Sequence, residues 1–326
     1  MSVVSIIGAG PAGNYSAYLL AKKGHDVSVF EEHSTIGLPW ACTGVITHDV
    51  LAKQIKLPEE IIVNRIKKAR IISPDKSSVE VNLKNDIIVD RTGLDQFVAA
   101  MAKKAGAKYY VNHRFMNIIK NNGKVIASIK NKNLEQTKEI ESDFLIGADG
   151  PRSEVAKSAG LFGDRKFYVG MQVTAKLEND NVIEFFPSKE GIAWTVPENK
   201  KMVRAGIAGN NQANAYFDTF MKSAVGEDYK EKITGHQAGP IPVYNPKLQT
   251  QKGKVMLAGD AATMVKAPTL GGINQSLIAA TAVKNAVHDG LDYKKMWKRK
   301  LGRDLWISLM MIYVLPQMRS RTISYF

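Results

Sequence analysis

The sequence predicts an α/β architecture in which a helix-covered parallel sheet is interleaved with an antiparallel β-sheet domain. Three observations predict it. Val3-Val-Ser-Ile-Ile is a short apolar, β-branched run, followed at once by Gly8, Gly10 and Gly13 in G-x-G-x-x-G spacing. Two further apolar runs, Phe144-Leu-Ile and Val255-Met-Leu, are each followed within three residues by an aspartate, Asp149 and Asp260. Between these runs the pattern changes to alternating apolar and polar positions, over 59–90 and again from about 166 to 250.

Taken in order, residues 3–7 read as a buried parallel strand and residues 15–23 as a helix closed by Gly24. Residues 27–30 form a second strand, with Glu31 at its end. Ile36-Gly-Leu-Pro-Trp-Ala-Cys-Thr-Gly-Val-Ile is a loop marked by Gly and Pro. The alternation over 59–90 predicts short antiparallel strands. Residues 92–106 predict an amphipathic helix with Leu94, Phe97, Val98, Met101 and Ala105 on one face. Strands are expected at 108–111, 115–119, 125–129 and 140–146, then at 169–177, 182–186, 193–196 and 203–208, with a helix around 213–224. A buried strand at 255–257 and a helix from Pro268 to about His288 follow. This order predicts a discontinuous dinucleotide-binding domain over 1–70, 91–165 and 253–290. The antiparallel substrate domain takes 71–90 and 166–252, and 291–326 is a short C-terminal helical segment.

The chemistry lies at the strand ends. In the opening unit Gly8 permits the tight turn, Gly10 lets a pyrophosphate approach the backbone, and Gly13 allows helix to pack on strand, with Ala12 between them. The helix N-terminus offers free N–H groups to phosphate, and Glu31 is placed to accept hydrogen bonds from a ribose diol. That unit alone leaves FAD and NAD(P) open. Asp149 closes Phe144-Leu-Ile-Gly-Ala-Asp-Gly and is placed to approach the dinucleotide, although an Asp-Gly turn explains it equally. Val255-Met-Leu-Ala-Gly-Asp260 precedes Pro268-Thr-Leu-Gly271-Gly272-Ile273. A carboxylate here can bond a polyol hydroxyl, and the glycine pair opens a helix whose N–H groups can face an electron-rich ring edge. FAD has a ribityl chain to meet such a carboxylate; NAD(P) has none.

Together, G-x-G-x-x-G with Glu31, Arg91 ahead of Leu94-Asp95, G-A-D-G, and G-D-A-A followed by P-x-x-G-G resemble the FAD signature of flavoproteins with the p-hydroxybenzoate hydroxylase fold. The resemblance covers residues 1–160 and 255–290. It implies a Rossmann-like FAD-binding domain in which Gly8, Gly10 and Gly13 take the pyrophosphate, Glu31 the adenosine ribose and Asp260 the ribityl side. Arg91 would lie near the diphosphate or ribityl chain, and Gly271, Gly272 and Ile273 along the flavin ring. Two further stretches resemble the geranylgeranyl reductase family, which saturates isoprenoid chains. Gly37-Leu-Pro-Trp-Ala-Cys42-Thr-Gly44 is similar to its G-x-P-x-x-C-x-G loop, and Gly191-Ile-Ala-Trp194-Thr-Val-Pro197 to its Y-x-W-x-F-P motif. Ile192 and Val196 depart from that second pattern, and the chain is short at its C-terminal part.

The resemblance implies hydride transfer from reduced flavin N5 to a C=C bond, with a proton for the other carbon. Trp194 and Pro197 are candidates for the apolar wall of a chain cavity, and Cys42 for the proton donor or a polar gate. Plain core packing is the alternative for either residue. A monooxygenase or halogenase would share the FAD motifs, and the Trp-Pro stretch does not separate them; the Cys42 loop favours the reductase. A flavin-bearing partner module without catalysis is the third reading. No second complete G-x-G-x-x-G unit is present for NAD(P)H, which leaves NADPH or ferredoxin as electron donor.

Composition sets the remaining expectations. Lys+Arg 45 against Asp+Glu 31 gives a net charge of +14, which suits an anionic partner or simply a solvated surface. The basic residues are dispersed without an aromatic-interleaved stripe, so nucleic acid is not expected. Cys42 is the single cysteine, which excludes an internal disulfide, and no Cys/His cluster has zinc spacing. The chain enters its first strand at once, which predicts a cytoplasmic protein without a signal peptide. The apolar run Leu305-Trp-Ile-Ser-Leu-Met-Met-Ile-Tyr-Val-Leu is too short to cross a bilayer but suits its interface, so peripheral contact with an anionic membrane is expected. The expected substrate is an isoprenoid lipid or diphosphate.

Overall fold

A computed structural model describes residues 1–39, 42–209, 213–267 and 269–314. Trp40 and Ala41 of the cysteine loop, Pro268 ahead of the glycine pair, and the end of the apolar run from 315 onward lie outside the described residues.

The chain is mixed α/β. The first sheet has six strands: β1 (Val3–Ile7), β2 (Asp26–Phe30), β6 (Lys108–Tyr110), β10 (Phe144–Gly147), β16 (Gln251–Lys252) and β17 (Val255–Leu257), in the order β16-β17-β10-β1-β2-β6. All neighbours in it are parallel except the β16 edge. Its central strands β10 and β17 are continuous apolar runs because helices cover the sheet. The Pro11–Ala21 helix packs between the Arg91–Lys104 and Ile273–Asp289 helices. Val4, Ile6, Leu145, Ile146, Val255 and Leu257 are fully buried. Tyr293, Trp297, Leu301, Leu305 and Leu309 join the same core, so residues 293–309 complete this domain's packing.

The second sheet has eight strands, ordered β15-β11-β14-β13-β12-β4-β5-β3. They are β3 (Val45–Thr47), β4 (Ile62–Ile72), β5 (Ser78–Val89), β11 (Phe167–Lys176), β12 (Ile183–Pro187), β13 (Gly191–Asn199), β14 (Met202–Gly209) and β15 (Ile233–Pro242). Every pairing is antiparallel except β12 with β4. The alternation over 59–90 is thus one long hairpin, and its first strand enters this sheet ahead of residue 71. On β14 the period of two is plain. Val203, Ala205 and Ile207 pack outward with Phe220 and Met221 of the Ala213–Ala224 helix, while Arg204, Gly206 and Ala208 face the other way.

A third, three-stranded sheet holds β7 (His113–Asn122), β8 (Lys124–Asn131) and β9 (Gln136–Ser142). Residues 140–146, expected as one strand, are two. Asp143 separates β9 from β10, accepting a bond from Val3 N–H at 2.8 Å, and the chain changes sheets there. A continuous apolar pattern does not reveal such a change. β15 was not anticipated either, because Gly235, Gly239, Pro240 and Pro242 break the apolar alternation over its length.

Candidate active site

A single cavity of about 1040 Å³ runs between the parallel sheet and the eight-stranded sheet. It lies at the upper end of the range for cofactor sites, roughly 300–1,000 Å³. Gly8, Gly10, Ala12, Glu31, Cys42, Arg91, Asp149, Trp194, Asp260, Gly271, Gly272 and Ile273 all line it. Gly13, and Pro197 of the expected apolar wall, do not.

The glycine turn shows why each position is glycine. Gly8 has φ +98°, and a Cβ there would strike the Ala148 carbonyl. At Gly13 a Cβ would overlap the Gly8 carbonyl oxygen, so its role is packing of helix against strand. Gly10 is different: nothing lies within 4 Å of where its Cβ would stand. That space opens on the cavity at the N-terminus of the Pro11–Ala21 helix, whose first N–H groups have no side-chain cap. Glu31 braces the turn. Its Oε2 accepts from Ala9 N–H at 2.8 Å, and its Oε1 from His33 N–H and Nδ1. Asn14, which pattern reading passed over, is fully buried and ties Ala9, Asp95 and Tyr109 together. An asparagine in the first turn of an apolar helix was the available signal.

Asp149 spends both oxygens locally, accepting from Ser153 Oγ at 2.6 Å and from Val155 N–H at 3.0 Å. Burial raises its pKa. Asp260 is the contrast. It sits in a tight turn, Gly259–Ala262, and no hydrogen bond from the described residues reaches its carboxylate. Burial pushes it up to about 6, against the opposing pull of Arg91. Opposite, the Ile273–Asp289 helix begins at Gly272 without a side-chain cap. A Cβ on Gly272 would come within 3.1 Å of Asp260 Oδ1, so glycine keeps the carboxylate and the helix end together.

Arg91 follows Asp90, whose carboxylate caps the Arg91–Lys104 helix by accepting from Thr92 N–H. It forms a nearly fully buried i,i+4 pair with Asp95 at 2.9 Å. Among the described residues, its Nε and Nη1, and Asp95 Oδ1, are buried without hydrogen-bond partners. Burial pulls the arginine pKa down, but Asp95 and Cys42 outweigh it, so Arg91 stays charged. Unsatisfied donors on a buried cation are costly, on the order of 1–3 kcal/mol per group, and point to a missing acceptor.

Cys42 is half-buried, and its Sγ accepts from Gly44 N–H at 3.3 Å. Arg204, 3 % exposed, clamps this loop by donating through Nη1 to the carbonyls of Thr43 (2.7 Å) and Val89 (3.2 Å), while its Nε pairs with Glu198. Trp194 lies in an apolar cluster with Ile66, Ala69, Ile88, Ile183 and Val196. Its Nε1 donates to Gln172 Oε1 at 2.9 Å.

The donor set fits a flavin dinucleotide. The open cradle at Gly10 suits a diphosphate, the orphaned Arg91 donors an oxygen acceptor, the free Asp260 carboxylate a polyol, and the uncapped helix at Gly272 an electron-rich ring edge. A parallel-sheet domain built in this way, with an antiparallel sheet closing the site, defines an FAD-binding flavoprotein. A family model described as "FAD binding domain" matches residues 1–287. The chain belongs to that family and, within it, to the digeranylgeranylglycerophospholipid reductases: it is 30% identical to digeranylgeranylglycerophospholipid reductase 3 of Methanosphaera stadtmanae over 86% of this chain and 78% of that protein. It is 28% identical to the digeranylgeranylglycerophospholipid reductase of Methanothrix thermoacetophila, over 93% of this chain and 84% of that protein. Among solved structures it is similar to a geranylgeranyl bacteriochlorophyll reductase-like protein from Thermoplasma acidophilum, with a TM-score of 0.89 and 25% identity, covering 99% of this chain and 89% of that one. The flavin-dependent halogenase CmlS shares the fold alone, with a TM-score of 0.72 and 16% identity over 92% of this chain and 62% of that one.

Proposed function

We propose that this protein is an FAD-dependent reductase that saturates C=C bonds of geranylgeranyl chains in membrane-lipid precursors. The observation that carries this reading is the continuity of one cavity, from the glycine turn and Asp260 to the apolar wall around Trp194. Gly8, Gly10 and Ala12 would hold the diphosphate, Glu31 the adenosine ribose, and Asp260 the ribityl chain. Arg91 would neutralise an anionic oxygen, and Gly271, Gly272 and Ile273 would lie along the flavin ring. Asp149 contributes by shaping the turn beside the cofactor. When bound, reduced flavin supplies a hydride at N5.

The chain's own residues have three tasks. Ile183, Phe185, Ile192 and Trp194 exclude water and hold an apolar chain. Cys42, on the clamped loop facing the same cavity, delivers the proton that the second alkene carbon requires. The mouth admits the lipid. Exposed Trp306, Ile307 and Met311 stand on the Arg303–Val314 helix, and the last two also line the cavity. Next to them the run Lys298-Arg-Lys-Leu-Gly-Arg303 is strongly basic. These features support contact with an anionic membrane surface at the inner face of the cell membrane. The electron donor is NADPH or ferredoxin.

The test uses the FAD-loaded protein reduced without oxygen. Geranylgeranyl phospholipid is expected to reoxidise the flavin and gain two mass units per saturated bond, and Cys42→Ser to keep FAD while losing most turnover. If the lipid never reoxidises the flavin, while oxygen plus an aromatic yields a hydroxylated or, with halide, a halogenated product, the monooxygenase or halogenase reading replaces this one. Flavin that reacts in neither tube would point to a non-catalytic flavin module.

A further inference from the structure

We infer that Gln172 is the positioning residue that couples the Cys42 loop to Trp194. The inference deepens the reductase reading and rests on it for the meaning of those two residues. Its geometry stands independently. One register row crosses the eight-stranded sheet: Gln237 on β15 pairs with Gln172 on β11, Gln172 with Gly206 on β14, Gly206 with Trp194 on β13, and Trp194 with Phe185 on β12. Residues in one row share a face of the sheet, and Gln237, Gln172, Trp194 and Phe185 all line the cavity.

Gly206 makes the row work. A Cβ there would stand 2.8 Å from Trp194 Cζ2 and 3.0 Å from Gln172 Cβ. Its absence lets the indole lie across β14 and reach β11. Gln172, 6 % exposed, then uses both lone pairs of its amide oxygen and one of its two N–H donors. Its Oε1 accepts from Trp194 Nε1 at 2.9 Å and from Thr43 Oγ1 at 2.9 Å, and its Nε2 donates to Gln237 Oε1 at 2.9 Å. Thr43 is the neighbour of Cys42. One carbonyl oxygen therefore ties the indole plane to the loop that carries the thiol. A buried polar network with both lone pairs of one atom in use holds its members in a single arrangement. Loss of Gln172 frees the tryptophan N–H and the Thr43 hydroxyl at once, which separates the wall that holds the chain from the group that protonates it.

Cys42 is the only thiol in the chain, so its reaction rate with an aromatic disulfide reagent reports loop mobility without any substrate. On the FAD-loaded protein, Gln172→Leu is expected to accelerate thiol labelling at least five-fold. It should lower kcat at least ten-fold with KM changed less than two-fold. Gln172→Glu keeps both acceptor positions, and Gln237 can turn its amide to donate to the new carboxylate. This variant is expected to restore labelling and kcat to within two-fold of wild type. Should Gln172→Leu fail to fold, Thr43→Val removes only the loop side of the network, and the same acceleration is expected of it. Wild-type labelling rates in Gln172→Leu or Thr43→Val would overturn the inference, as would a kcat loss in Gln172→Glu equal to that in Gln172→Leu. Labelling needs no lipid, so a wild-type protein inert toward geranylgeranyl lipid would reject the reductase reading and leave this result standing.

Discussion

At the scale of single residues the site is a set of groups left incomplete by the protein. Asp260 is the clearest. Its carboxyl is pushed up to about 6 by burial, against 3.8 for the free group. The folded chain therefore holds a proton that the unfolded chain releases, and this group favours folding at acid pH. That contribution is complete below about pH 4 and is lost as the pH rises through about 6. In FAD-free protein, Asp260→Asn is expected to gain thermal midpoint relative to wild type as the pH is raised from 4 to 7; parallel curves would contradict the assignment. The same substitution is expected to weaken FAD binding, because an uncharged amide offers one acceptor oxygen where the carboxylate offers two stronger ones to the ribityl hydroxyls. Arg91 shows the same incompleteness in its orphaned Nε and Nη1. A buried cation with spare donors is a poor way to stabilise a core and a good way to receive an anion.

At the scale of the element, the strand–turn–helix unit separates glycines fixed by close packing from the one with open space beside it. Gly10 has φ −82° and ψ −173°, ordinary extended backbone, and open space where a Cβ would go. Gly10→Ala is expected to cost the fold less than about 1 kcal/mol while filling the diphosphate cradle and weakening FAD binding at least ten-fold. Gly13→Ala instead drives a methyl into the Gly8 carbonyl, an overpacking worth about 1–3 kcal/mol of stability. Thermal melts and flavin titration of the two variants check the contrast, and equal stability losses would refute it. The eight-stranded sheet works by a similar division. Its outer face is apolar and packs on a helix, whereas its inner face carries Gln172, Trp194 and Arg204 toward the cavity and the cysteine loop.

At the scale of the whole molecule, two sheets enclose one cavity, and Ile307, Ser308 and Met311 of the last helix add to its lining. Leu301, Leu305 and Leu309 anchor the last helix in the core of the parallel-sheet domain. Trp306, at 52 % exposed, points away from that core. None of the described helices is long and apolar enough to cross a membrane. With Lys298, Arg299, Lys300 and Arg303 exposed beside it, this face suits an anionic bilayer, where each basic residue contributes about 1 kcal/mol. Replacing Lys298, Arg299 and Lys300 by Gln is therefore expected to weaken co-sedimentation with acidic vesicles roughly a hundred-fold at low salt. Wild-type protein that stays in the supernatant with such vesicles would reject the docking reading outright.

What the sequence determined by itself is the cofactor half of the molecule. Val3–Ile7, the Gly8-to-Gly13 turn, Glu31, Asp260 and Gly271-Gly272 are local signals. Each depends on a strand end or a helix start, which a short stretch of residue types encodes through backbone freedom and apolar periodicity. The β15 strand and the change of sheet at Asp143 escaped, because glycine, proline and a continuous apolar run hide register and partner. The polar network around Trp194 became visible only in the tertiary structure. Nothing near Gln172 in sequence marks it, since a glutamine in a strand is an unremarked polar residue until its neighbours are known. Gly206 and Gln237 become its neighbours by strand order and register, and Thr43 by a hydrogen bond from the cysteine loop packed over the sheet. These contacts join residues from 34 positions apart (Gly206) to 129 (Thr43), and no local pattern carries that information.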